Sequence, residues 1–208
     1  AFECDVKLSA DGLPFLLHDT TLERTTNGEG SAGGRSWHEL SLLDAGSWHG
    51  RQYAGEPLPS LPAVAAAVLH NNFALDREIK PTPGTETHTG EVVANAVAQL
   101  WHGQALMPLL SSFQPEALRA ARDQQPQLPR ALLLDTLYPQ AFDLAQELRC
   151  DALITNQTLM DAALLARIHA AGMRAMVYTV NEPERAQQLL AWGIDGLVTD
   201  AVDRFSPV

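Results

Sequence analysis

From Leu61 to Thr199 the hydrophobic positions change period in a regular beat. Apolar residues three and four apart over Leu61–Asn71, His88–Trp101, Pro115–Asp123, Pro139–Leu148, Leu159–Ala170 and Glu182–Ala191 predict amphipathic helices. Short apolar runs between them, at Phe73–Lys80, Leu106–Ser111, Arg130–Leu134, Ala152–Thr155, Arg174–Val180 and Asp195–Thr199, predict strands. Strands that alternate with helices indicate βαβ units and a parallel sheet. Punctuation agrees: Pro183 follows Asn181, a good N-cap, while Gly172 and Gly193 stand where helices should stop. Phe2–Leu8 adds a seventh strand. The expected architecture is α/β, a (β/α)8 TIM barrel of eight parallel strands whose first strand–helix unit precedes Ala1. An open doubly wound sheet is the alternative, although no GxGxxG follows any strand.

The rhythm breaks between Asp11 and Leu61. Asp11-Gly12 marks a turn, Pro14–Leu17 a short strand, and a stretch rich in Thr, Gly, Ser, Trp and His follows. It is too long for an ordinary βα loop. Insertions after barrel strands sit over the mouth, so residues 14–62 are expected to form a small capping insertion in a single barrel domain spanning 1–208.

Bulk properties narrow the partners. With 208 residues and 46% hydrophobic content the chain can bury a real core. A net charge of −11 argues against nucleic acid. No run of 18 apolar residues exists, so no stable membrane insertion is expected. Cys4 and Cys150 lack any metal-site spacing and read as buried free thiols, which fits a reducing compartment.

The chemistry begins with Glu3-Cys4-Asp5-Val6-Lys7. In a strand alternate side chains share a face, so Glu3, Asp5 and Lys7 point one way and Phe2, Cys4, Val6 and Leu8 the other. Asp76-Arg77-Glu78-Ile79-Lys80 repeats the pattern, with Asp76, Glu78 and Lys80 on one face. A strand of an all-parallel sheet should be apolar on both faces. Buried charges at such positions must be neutralised by one another or by a cation. Converging carboxylates suit a hard divalent ion, Mg2+ or Ca2+, and a lysine beside them suits a phosphate. A salt-bridge network of the same six residues is the competing reading. Arg77 should face the helix layer and is expected to snorkel.

His18-Asp19 ends the short strand, offering a titratable imidazole at the mouth. His38 and His49, beside Trp37 and Trp48, are expected to pack within the insertion. His70, His102 and His169 fall near helix ends and His88 at the surface, so no catalytic role is assigned to them. Ser111-Ser112-Phe113 ends a strand without the GxSxG elbow that a serine nucleophile needs.

Taken together, Glu3-Cys-Asp5-Val-Lys-Leu-Ser-Ala-Asp-Gly-Leu-Pro-Phe-Leu-Leu-His18-Asp19, Leu22-Glu-Arg-Thr-Thr-Asn-Gly and Glu78-Ile79-Lys80-Pro81 resemble the signature of the glycerophosphodiester phosphodiesterase family. Tyr178-Thr-Val-Asn181 and Gly193-Ile-Asp-Gly-Leu-Val-Thr-Asp200 resemble its later strand ends. Asp44-Ala-Gly-Ser-Trp48 and Gly55-Glu-Pro-Leu-Pro59 bring the chain nearest to the cytoplasmic bacterial type linked to glycerol-phosphate uptake. The resemblance implies a barrel, one divalent metal, and hydrolysis of a small-molecule glycerophosphodiester to glycerol 3-phosphate and an alcohol. It maps the metal ligands to Glu3, Asp5 and Glu78, a catalytic histidine to His18 and the phosphate-contacting lysine to Lys80. The family's His-Arg-Gly motif, with a second catalytic histidine, and its Glu-Asn-Thr motif are expected before Ala1. Asp76-Arg77 departs from the family, where Asn-Ile is commoner. Two other functions compete: a barrel phospholipase of the sphingomyelinase D type, and a non-catalytic barrel that binds a phosphorylated ligand.

Overall fold

A computed structural model describes residues 1–205. They divide into two compact units, Ala1–Leu128 and the remainder from Pro129. The first holds β1 (Phe2–Leu8), β2 (Pro14–Leu16), α1 (Trp37–Leu40), α2 (Leu61–His70), β3 (Leu75–Ile79), α3 (Glu86–Leu100), β4 (Leu109–Ser112) and α4 (Pro115–Gln124). The second holds β5 (Arg130–Leu134), α5 (Ala141–Glu147), β6 (Ala152–Asn156), α6 (Ala162–Ala170), β7 (Arg174–Tyr178), α7 (Pro183–Trp192) and β8 (Gly196–Leu197). Every predicted helix and strand is present, with ends shifted by a few residues, as fraying termini allow.

In the first unit β1, β3 and β4 run parallel, with Glu3 opposite Asp76, Asp5 opposite Glu78 and Glu78 opposite Ser111. In the second, β5 to β8 are parallel in sequence order. Within each unit the described parallel strands alternate with helices, the α/β class expected, and neither unit by itself closes into the barrel expected. On its side away from β3, β1 is paired over Val6–Leu8 by β2, which runs antiparallel. An antiparallel hairpin there occupies the hydrogen-bonding edge that a parallel barrel neighbour would need along those residues.

The alternation of β1 decides which residues enter the core. Val6 and Leu8 are buried against α2, α3 and α4 with Leu61, Val68, Val93, Val97, Trp101, Ala117 and Leu128, and Cys4 packs on the same side. Cys4 is only half-buried and Cys150 buried; both are free. Helix α3 approaches α4 so closely that a Cβ on Gly90 would lie 2.2 Å from the Ala117 carbonyl oxygen. Gly90→Ala must therefore push the helices apart, and an overpacking cost of about 1–3 kcal/mol is expected. Thermal unfolding should show a lower Tm; an unchanged Tm would contradict the close approach.

Arg77 does not snorkel. It is fully buried, its guanidinium lies 4.0 Å from the centre of the Trp101 ring, and none of its nitrogens has a hydrogen-bond partner among the described residues. The indole face stabilises the cation, and the acidic Asp76 precedes it in the chain. Burial nonetheless pulls the Arg77 pKa down to about 10.

The insertion has a small core of its own, formed by Phe15, Leu17, Leu22, Ala32, Leu40 and Leu58. Ser36 and Glu39 form a capping box at α1. Asp44 is a loop hub: its carboxylate accepts from the Gly46, Ser47 and Gly55 amides and from the Ser47 hydroxyl. At α7, Gly193 stops the helix at φ 94° as expected. Asn181 does not cap its start. Its Oδ1 accepts instead from Thr199 Oγ1 and the Asp200 amide, which leaves Glu182 as the capping position without a side-chain bond.

Candidate active site

The polar face of β1 and that of β3 meet. Carboxylate oxygens of Glu3, Asp5 and Glu78 all lie within 4.8 Å of one another. Parallel pairing explains it: Asp5 sits opposite Glu78 on the neighbouring strand, and Glu3 lies one pleat below on the same face. Lys80, one pleat above Glu78, places its ammonium 2.8 Å from Asp5 Oδ1 and 3.7 Å from Glu78 Oε1. Lys7 is buried beside them and donates to the Lys80 carbonyl at 3.4 Å. Asp76 lies deeper, accepting from Ser111 Oγ at 2.8 Å. Ser112 Oγ donates to the Ile79 carbonyl. Both serines pin the strand ends.

The electrostatics are those of an under-compensated cluster. Protein packed around Glu3, together with Asp5, Asp76 and Glu78, pushes its pKa up to about 8. Burial moves the Glu78 carboxyl upward despite Lys80, with Asp5 adding to the rise. Burial lifts Asp76 to about 6, against the Ser111 hydrogen bond. Lys7 is held below the usual lysine range by burial and then by Lys80. One ammonium reaches Asp5 and Glu78, and no ion pair reaches Glu3 among the described residues. The oxygen-only donor set and the unrelieved repulsion fit a hard divalent cation held by Glu3, Asp5 and Glu78.

His18 reaches the same place through the hairpin. Beyond β2 the pairing persists, with the Leu17 amide donating to the Asp5 carbonyl at 3.2 Å. His18 follows at once, exposed, with Nδ1 2.8 Å from Asp19 Oδ1. Arg24 grips Asp19 with two guanidinium nitrogens, Nη2 at 2.8 Å. That contact holds the Asp19 carboxyl well below the usual carboxylate range. The chain Arg24–Asp19–His18 fixes the imidazole through Nδ1. A cleft of about 400 Å³ is lined by Glu3, Asp5, His18, Arg24 and Trp48 among others. Arg24 and Trp48 carry no signal in the hydrophobic pattern. Arg24 is within a quoted motif, and Trp48 reads as packing, yet it is 54% exposed and faces the cleft.

The glycerophosphoryl diester phosphodiesterase family profile matches residues 1–204. The chain belongs to that family. It is 29% identical to a glycerophosphodiester phosphodiesterase of Caldanaerobacter subterraneus subsp. tengcongensis, over 95% of this chain and 81% of that protein. A Bacillus subtilis glycerophosphodiester phosphodiesterase is 28% identical, over 99% of this chain and 75% of its own length. Among solved structures, a phosphodiesterase of Oleispira antarctica, in complex with the product sn-glycerol-3-phosphate, superposes with a TM-score of 0.92. Identity there is 32%, covering 97% of this chain and 81% of that one. The chain is thus a glycerophosphodiester phosphodiesterase family enzyme, and its acidic cluster suits a divalent metal site. No helix among the described residues is long and apolar enough to cross a membrane.

Proposed function

We propose that this enzyme hydrolyses glycerophosphodiesters to sn-glycerol 3-phosphate and an alcohol. Glu3, Asp5 and Glu78 would hold one Mg2+ or Ca2+, Lys80 contacts the phosphate, and His18 is a proton carrier. Three carboxylates and Lys80 converge, and two of those carboxylates, Glu3 and Asp5, line the cleft that His18 also lines; this carries the reading. When bound, the divalent ion supplies charge neutralisation at the phosphoryl group. Lys80 then has less need to neutralise Asp5 and Glu78, and its ammonium adds a positive contact that strengthens as phosphoryl charge develops.

The proton work falls to histidine. A base removes the proton of the glycerol 2-hydroxyl, whose oxygen forms a bond to phosphorus. The bond from phosphorus to the alcohol oxygen breaks, and His18, its Nδ1–H held by Asp19, gives its Nε2 proton to that oxygen. Water then opens the cyclic phosphate with the roles reversed. The base is the second histidine that the family resemblance implies. The enzyme is also of the cytoplasmic glycerol-phosphate-uptake type, a reading supported by the Asp44–Trp48 loop.

The test is an assay of the full-length protein with soluble glycerophosphocholine and Mg2+ or Ca2+, against vesicles of sphingomyelin and lysophosphatidylcholine. Release of sn-glycerol 3-phosphate from the soluble diester is expected. Choline release from the vesicles alone would favour the phospholipase, and turnover of neither would favour a binding protein.

A further inference from the structure

We infer that Trp48 recognises the leaving alcohol and that it favours a quaternary ammonium head group; this rests on the hydrolase reading above. Trp48 is a large aromatic residue that the fold could have buried in the insertion's own core, but the residues of that core are Phe15, Leu17, Leu22, Ala32, Leu40 and Leu58. Trp48 is left 54% exposed in the cleft that holds Glu3, Asp5 and His18. Its orientation is fixed. The indole Nε1–H donates to the Ala45 carbonyl at 2.8 Å. His49 packs edge-on at 5.3 Å and itself meets the Tyr53 ring at a tilt of 40°, 5.2 Å between centroids. The Asp44 carboxylate ties down the preceding loop through the Gly46 and Ser47 amides. Such a wall loses little side-chain freedom when a ligand docks.

The chemistry of the wall selects the head group. Around Trp48 the cleft is lined by Ala45, Leu58 and Pro59. The Ala45 carbonyl is already taken by the indole, and the Ala45 amide donates to the Glu56 carbonyl at 2.7 Å. A primary ammonium or a polyol brings N–H or O–H groups that would compete for the Glu3 and Asp5 carboxylates of this cleft, which the divalent ion would claim. A trimethylammonium group has no such donors, and its charge is drawn to an aromatic face. Arg24, which also lines the cleft, is compensated by Asp19. A glycerophosphodiester whose alcohol ends in a trimethylammonium therefore suits this cleft.

The experiment compares kcat/KM of the full-length enzyme on glycerophosphocholine, on its uncharged isostere with a 3,3-dimethylbutyl alcohol, and on glycerophosphoglycerol. Wild type should prefer choline over the isostere by about two- to fivefold, the range of a solvent-exposed cation–aromatic contact. Trp48→Leu should bring that ratio to near one, with a larger loss on choline than on the isostere, and Trp48→Phe should keep part of it. Equal wild-type rates on choline and isostere, or a preference that survives Trp48→Leu, would overturn the inference alone. So would an equal loss on all substrates in Trp48→Leu. Wild type inactive on all three would sink the hydrolase reading itself and the inference with it.

Discussion

Chelating the divalent ion should abolish turnover, and Glu78→Ala should cost at least a thousandfold, roughly the scale of losing several kcal/mol of charge stabilisation at phosphorus. The same loss should extend to any leaving group, because the ion acts on the phosphoryl group common to all substrates. Stability carries a second signature. Glu3 at about 8 and Asp76 at about 6 lie above their ordinary values of 4.5 and 3.8, so the metal-free fold holds protons that the unfolded chain releases. The sign follows: their contribution is intact below about pH 4 and is lost as pH rises through 6 and then 8. Metal-free protein should therefore have a lower Tm at pH 8 than at pH 5. Added Mg2+ or Ca2+ should reverse the fall, most strongly at pH 8. At a hundredfold excess over Kd the gain is about 2.7 kcal/mol, or about 5–10 °C for a domain of this size. Binding near pH 6.5 should release protons, seen in calorimetry as an apparent enthalpy that changes with buffer ionisation. Full activity in excess chelator, or a Tm indifferent to the ion, would contradict the account.

His18→Ala should damage hydrolysis of glycerophosphocholine far more than hydrolysis of a glycerol phosphodiester with a nitrophenyl leaving group. An alkoxide is strongly basic and needs a proton as the bond to phosphorus breaks; a positioned acid contributes roughly 10²–10⁴-fold. A nitrophenolate leaves without that help. Both substrates share the metal, Lys80 and the attacking hydroxyl, so their rate ratio isolates leaving-group protonation. The geometry supports the acid assignment. Asp19 accepts at His18 Nδ1 and is itself gripped by Arg24, which fixes the ring. Asp19→Asn should then reproduce part of the same leaving-group dependence, because it weakens the hold on Nδ1. Equal losses on both substrates in His18→Ala would make His18 the base or a structural residue.

How much of this was legible in the sequence depends on which force placed each residue. The βα rhythm was readable because burial dictates it: Val6, Leu8 and Ile79 fall on the core side for the same reason that Glu3, Asp5 and Glu78 fall on the other. Two charged strands violating the apolar rule were enough to find the cluster. The pairing of β2 was not readable as an obstacle to a parallel neighbour, because three residues of strand carry no sign of their direction. Asn181 as an N-cap failed because its side chain was claimed by Thr199 and Asp200, which lie 18 and 19 residues on. Arg77 stays dry since Trp101, remote in sequence, offers it a face. Trp48 escaped for the opposite reason. An exposed tryptophan and a packed one have the same letters around them, and only the insertion's fold shows which it is.

The most direct measurement of the central claim is anomalous diffraction from crystals of the full-length protein soaked with Mn2+ or Ca2+. The account predicts one strong peak at about 2.0–2.6 Å from oxygens of Glu3, Asp5 and Glu78 together, which disappears in Glu78→Ala. An ion bound elsewhere, or an active enzyme whose three carboxylates hold no ion, would contradict it.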